Sequence, residues 1–171
     1  MVRIKTKEGE DMRRTDREVK DAEGILQILE SCKVCRIGMM DGEKIYMVPV
    51  NFGYVYEDGK LVLYFHGARE GKKLELIQKN PAVGIEMDGA HELVTGKTAC
   101  QYSYHYASLI GNGRAEIVTE PAEKQKALAL IMKCQTGKDF AELEADPKLV
   151  QAVAVIRAEV EEFTCKCHGA V

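Results

Sequence analysis

Residues 33–66 read KVCRIGMMDGEKIYMVPVNFGYVYEDGKLVLYFH, and this stretch decides the architecture. Val, Ile, Tyr and Phe crowd residues 33–40, 44–56 and 61–66, with Asp41-Gly42 and Asp58-Gly59 between them. Tight hairpin turns need residues that accept positive φ, and Asp-Gly supplies them. The pattern predicts three consecutive antiparallel strands. Pro49 has no amide hydrogen to give a ladder, so it belongs at an edge, a bulge or a place where the sheet opens.

On the N-terminal side, residues 1–11 are charged without an apolar period and read as a mobile leader. Thr15-Asp16-Arg17-Glu18 has the form of a capping box, and Val19, Ala22, Ile25, Ile28 and Leu29 recur at helical spacing, which predicts a helix over residues 16–31. On the C-terminal side, Leu74 and Ile77 mark a short helix from 71 to 79 that Asn80-Pro81 stops. Residues 82–87 read as a strand and 88–98 as a polar loop. Residues 100–118 read as one long bent strand or two joined ones, with Gly111 and Gly113 at the bend. Pro121 and Gly137 bracket a second solid helix. Residues 139–150 form a short helix or turn, alternation over 154–160 gives a last strand, and the tail around Cys165 to Gly169 is exposed in composition. The sum is about six strands and three helices without repeated βαβ alternation, so an antiparallel barrel with peripheral helices in one domain, residues 12–171, is expected.

The chain has 171 residues, 24 Lys plus Arg against 27 Asp plus Glu, and a net charge of −3. That balance supplies no clustered positive surface, which disfavours nucleic acid as a partner. No run of 18 apolar residues and no apolar leader occur, so no membrane partner is expected and the expected compartment is the cytosol. Six cysteines in that compartment are expected to be reduced thiols.

His66-Gly67-Ala68-Arg69-Glu70-Gly71-Lys72-Lys73-Leu74 joins the end of an apolar strand to a helix start. Free amide donors, the helix dipole and flanking ammonium groups together suit a phosphate. The bland reading is a connector with solvated lysines. Gly67-x3-Gly71-Lys72 is one residue shorter than a Walker loop, and Lys73 stands where that loop needs a hydroxyl, so a nucleotide triphosphatase is rejected. No Gly-x-Gly-x-x-Gly follows a strand, which removes the dinucleotide fold.

Read together, Met12-Arg13-Arg14, Val48-Pro49-Val50-Asn51-Phe52, Leu63-Tyr64-Phe65-His66-Gly67-Ala68 with Gly71-Lys72-Lys73, Asn80-Pro81 and Tyr106 to Ala115 resemble one family in order and content. It is the FMN-binding split-barrel family related to pyridoxamine 5'-phosphate oxidase, and within it the nitroimidazole-resistance (nitroimidazole reductase) branch. The resemblance spans residues 12 to 166. It implies a six-stranded antiparallel split β-barrel, an FMN cofactor and a homodimer with the flavin site between subunits. Val48, Pro49, Val50 and Asn51 would then meet the flavin ring, Tyr64, Phe65 and His66 continue that wall, and Gly67, Ala68 and Gly71 form the connector. Lys72 and Lys73 match the basic pair that holds the phosphate, Ser108 falls near the ring, and His66 matches the active-site histidine of the nitroimidazole branch. The implied activity is FMN-dependent reduction of a small, nitroaromatic-like acceptor with electrons from a reduced nicotinamide or similar donor; the alternative is a non-catalytic flavin- or haem-binding barrel. FMN carries the electron chemistry, and a histidine beside it can orient a substrate or donate a proton.

The oxidase that names the family binds its substrate with a C-terminal segment containing tryptophan, whereas this chain has no tryptophan and runs Phe163-Thr164-Cys165-Lys166-Cys167-His168. Pyridoxamine phosphate is therefore not the expected substrate. Tyr102, Tyr104 and Tyr106 read as sheet packing or one wall of a substrate pocket, and Arg114 as a solvated arginine. Cys32-x2-Cys35 with Cys165, Cys167 and His168 contains zinc-ligand types, but no second CxxC is present, so independent thiols are expected. His91 and His105 have no ligand-spaced partner.

Overall fold

The structure, a computed structural model, describes residues 14–145 and 147–169. The leader expected over residues 1–11 lies outside the described residues, as do Met12 and Arg13. Eight strands, rather than about six, form one antiparallel sheet: β1 (Glu18–Val19), β2 (Cys35–Asp41), β3 (Lys44–Val50), β4 (Phe52–Glu57), β5 (Lys60–Gly67), β6 (Ala82–Val94), β7 (Ser103–Ile117) and β8 (Ala154–His168). Among the described residues five α-helices accompany them: α1 (Ala22–Ser31), α2 (Lys72–Lys79), α3 (Pro121–Thr136), α4 (Glu142–Ala145) and α5 (Pro147–Gln151). The hydrogen-bonded order is β3-β2-β6-β7-β8-β5-β4, with β1 added beside β8.

The segment expected as one strand over 44–56 is two. β3 pairs with β2 and β4 with β5, so the two stand at opposite ends of the sheet order although Asn51 alone separates them. The sheet therefore curls until its edges are joined by the chain and not by a ladder, which is the split of the barrel. Pro49 sits on β3, the edge strand, where its missing donor costs nothing. Both hairpin turns form where Asp-Gly placed them, and Asp58 and Gly59 both take positive φ, 51° and 78°, as a type I′ turn requires.

Other boundaries move for identifiable reasons. Val19, read as helical, pairs with Cys165 in β1, and the helix begins at Ala22 because Asp21 accepts a hydrogen bond from the Gly24 amide at 2.8 Å. The residues read as a polar loop from 88 onward instead continue β6 to Val94, because a bulge between Gly89 and Glu92 lets polar side chains remain on a paired strand. The C-terminal tail is the end of β8, and Cys165 is buried there, contrary to its expected exposure.

Alternation sorts the sheet into two faces. On β7, Ala107, Leu109 and Ala115 enter the barrel, where Ile37, Met39, Phe52, Leu63, Phe65, Met87 and Ile156 complete the core. Each such fully buried large side chain contributes about 1.5–3 kcal/mol. α1 closes this core with Ile25, Ile28 and Leu29, and α2 with Leu74, Leu76 and Ile77. A second cluster lies between α3 and the outer side of β5 and β8, built from Tyr64, Ala127, Leu128, Ile131 and Val155.

Candidate functional site

A cleft of about 490 Å³ opens where the split barrel meets α2, lined by Val34, Pro49, Val50, Asn51, His66 and Lys73. Three pieces of backbone bring these residues together. Val34 precedes β2, Pro49 to Asn51 form the corner at which the chain crosses the split, and His66 is the last residue but one of β5. Lys73 comes from the first turn of α2, whose N-cap Gly71 holds φ at 137°, a conformation that side-chain-bearing residues rarely adopt.

The two adjacent lysines diverge. Lys72 turns away from the cleft to Asp41 on the β2–β3 hairpin, with Nζ 2.5 Å from Oδ2, and lies 4.9 Å above the Tyr46 ring. That carboxylate raises its pKa. Lys73 lines the cleft beside Gly67, where even a Cβ at position 67 would come within 3.2 Å of its Nζ. Among the described residues Lys73 has no hydrogen-bond or ion-pair partner, and burial lowers its pKa. A half-desolvated ammonium without a counter-ion is unfavourable unless an anion joins it.

Of the sequence candidates, the structure thus gathers Pro49, Val50, Asn51, His66 and Lys73 into one cleft. Val48 is half-buried against the main core, and Phe65 is fully buried inside it. Tyr64 faces the opposite way, its hydroxyl donating to Glu123 Oε1 at 3.2 Å under α3. Gly67 and Ala68 lead from β5 into the connector, where Ala68 is exposed. Ser108 stands on β7 between Asp88 and Lys166, off the cleft lining. Val34 was missed, because nothing in its local pattern separates it from the strand it precedes.

The outer face of β3, β2, β6 and β7 carries a second concavity of about 500 Å³. Its floor is Gly38 and Gly84, and the exposed side chains of Met40, Ile45, Met47 and Ile110 rise around it. Arg36 forms ion pairs with Glu86, at 2.8 Å, and with Asp88, and Arg114 and Glu161 also reach this groove. Tyr102 and Tyr104 are exposed, so they do not pack the sheet, and Tyr106 sits 5.8 Å beneath the Arg17 guanidinium. His91 pairs with Asp88 and His105 with Glu92.

Cys32, Cys35 and Cys165 are buried thiols, and desolvation pushes their pKa values up to about 11, 12 and 12. Among the described residues no three His, Cys, Asp or Glu side chains are arranged to hold a metal, and no helix is long and apolar enough to cross a membrane.

A family profile for pyridoxamine 5'-phosphate oxidase matches residues 21–167. Among solved structures, a candidate 5-nitroimidazole antibiotic resistance protein from Bacteroides thetaiotaomicron is 32% identical, with 88% of this chain and 86% of that chain covered and a TM-score of 0.73. The flavocytochrome Anf3 from Azotobacter vinelandii aligns at 19% identity, 94% and 73% coverage and TM-score 0.71. The FAD and heme binding protein from Mycobacterium smegmatis aligns at 16%, 90% and 74%, and 0.73; at such identities these two show the shared fold alone. No curated protein matches the sequence. The eight strands closed across a split, with the cleft at the crossing, are those of a split-barrel protein. The chain belongs to the pyridoxamine 5'-phosphate oxidase-like family.

Proposed function

We propose that the cleft beside Lys73 holds FMN, and that the protein is a cytosolic oxidoreductase passing electrons from a reduced nicotinamide or similar donor to a small acceptor, nitroaromatics being the leading candidates. The observation that carries this reading is the half-buried Lys73 at the start of α2, without a counter-ion among the described residues, beside a cleft whose other walls are the apolar Val34, Pro49 and Val50 and the polar Asn51 and His66. The residues fit a flavin phosphate: the Lys73 ammonium and the backbone amides of Lys72 and Lys73, which precede the first intrahelical hydrogen bonds of α2 at Leu74 and Glu75, supply the positive end. The 32% identity to a candidate nitroimidazole resistance protein supports the acceptor class.

When bound, FMN supplies the hydride or electron transfer. The chain's own residues do the rest. Lys73 neutralises the phosphate, and Val34, Pro49 and Val50 give an apolar wall that excludes water from one side. His66 is exposed in the cleft with neither ring nitrogen bonded among the described residues, so it is available to orient an acceptor or deliver a proton. Lys72, held by Asp41, contributes to the local field more than to direct contact.

The groove face supports pairing with a second copy. Ile45, Met47 and Ile110 are 70%, 56% and 58% exposed, an unusual cost for apolar side chains around a glycine floor. A second copy of this chain packed on this face in a two-fold pair would cover these side chains. A second reading is non-catalytic, with His66 as an imidazole ligand to haem in the same cleft.

An absorption spectrum of the freshly purified protein, followed by titration with FMN and with haemin, separates the two. Bound flavin and flavin-dependent bleaching of a nitroaromatic by a reduced nicotinamide support the first reading. A Soret band without flavin retention supports the second and overturns the first.

A further inference from the structure

We infer that Gln135, near the end of α3 and outside the cleft lining, is a positioning residue for the flavin site, acting through the side chain of Asn51. This rests on the FMN reading. Asn51 Nδ2 lies 3.0 Å from the Lys33 carbonyl and 3.2 Å from Gln135 Oε1, while Gln135 Nε2 lies 2.9 Å from the Phe52 carbonyl. A carbonyl oxygen only accepts, so the atoms facing Lys33 and Phe52 must be the amide nitrogens. The two backbone carbonyls thereby fix the orientation of both side-chain amides. Gln135 presents its oxygen to Asn51, and both hydrogens of the Asn51 amide are used.

Asn51 Oδ1 is what remains. It is an acceptor without a partner among the described residues, carried by a residue that lines the cleft. The pyrimidine edge of a flavin ring carries an N–H donor that such an oxygen suits. If the Asn51 amide were free to flip, the same position would present either an acceptor or a donor, and half of that specificity would be lost.

The joint is wider than one bond. Lys33 Nζ donates to the Cys134 carbonyl at 3.1 Å, next to Gln135 on the last turn of α3. Helix α3 is itself held tight to the corner, since a Cβ on Gly53 would meet Ile131 N at 2.5 Å. The last turn of α3 therefore ties together the segment before β2, which carries Val34, and the β3–β4 corner, which carries Val50 and Asn51. These are two walls of the cleft.

The test is a double-mutant cycle with FMN as the probe, using Gln135→Met, Asn51→Ala and the double variant, with fluorescence titration, the visible spectrum of bound flavin and thermal melting read for each. Gln135→Met is expected to weaken FMN by about tenfold, the scale of one net hydrogen bond, and to shift the flavin bands. The double variant is expected to bind FMN no more weakly than Asn51→Ala, since Gln135 acts through Asn51. Wild-type affinity and spectrum in Gln135→Met, or losses that add in full, overturn the inference. Should Gln135→Met not fold, Gln135→Lys reads the same contact: its ammonium can donate to the Phe52 carbonyl but cannot accept from Asn51, and a wild-type titration again overturns the role. A wild-type protein that folds yet takes up no FMN overturns the underlying reading, and this one with it.

Discussion

Burial without a counter-ion lowers the Lys73 pKa, and the sign of its effect on stability follows. Its folded value lies below the ordinary lysine value of 10.5, so between the two the unfolded chain holds more protons and stability rises with pH. Below that window the full cost is present. Lys73→Met is expected to raise the melting temperature of the flavin-free protein at neutral pH and to abolish the alkaline gain, while weakening FMN by about ten- to a hundredfold, the scale of a charge-assisted hydrogen bond. Lys72→Ala should leave FMN within about threefold of wild type, because its ammonium is on Asp41 and an exposed pair contributes little. Flavin titration and melting curves across pH 7 to 11 check both. The sequence marked the pair Lys72-Lys73 but not their divergence, since neighbours on a helix point about 100° apart and only the packing of α2 decides which one meets the cleft. Thiol accessibility is a further residue-scale outcome. A disulfide reagent should react promptly with the exposed Cys100 and leave Cys32, Cys35 and Cys165 untouched until the chain unfolds, because those three are both buried and held protonated.

At the scale of the elements, α3 lies against the start of β4 with no room for a side chain. A Cβ at Gly53 would meet Ile131 N at 2.5 Å and the Leu130 carbonyl carbon at 2.7 Å, backbone atoms that do not yield cheaply. Gly53→Ala is expected to destabilise by about 1–3 kcal/mol, the range of an overpacked core, as read by chemical denaturation, and to weaken flavin binding because the same helix end holds the corner. The strands and α2 were legible because apolar periodicity and Asp-Gly turns are local signals. The division of residues 44–56 at Asn51 was not, because β3 and β4 continue one extended run and differ only in which distant strand each pairs with. The start of α1 was misplaced for a related reason. Thr15 and Glu18 satisfy a capping-box pattern, yet pairing of Glu18 and Val19 with β8 draws them into the sheet and leaves Asp21 to cap the helix.

For the whole molecule, the outer face of the barrel makes the strongest statement about assembly. Met40, Ile45, Met47 and Ile110 are exposed together around glycines, a surface that a second copy would cover. Sedimentation equilibrium at micromolar concentration should show a dimer, and Ile45→Asp combined with Ile110→Asp should yield folded monomers; a wild-type monomer would remove the pairing. Family membership was readable because five short strings stand along the chain in the order the family has them, while the cleft itself needed the fold, since Val34, Asn51, His66 and Lys73 come from four separate segments. Adding FMN to the purified wild-type protein and measuring bound flavin per chain from the quench of its fluorescence decides whether the cleft is a flavin site. Saturation near one FMN per chain, with the affinity lowered by about ten- to a hundredfold in Lys73→Met, is the result predicted. A folded protein whose addition leaves flavin fluorescence unchanged would remove FMN from the cleft.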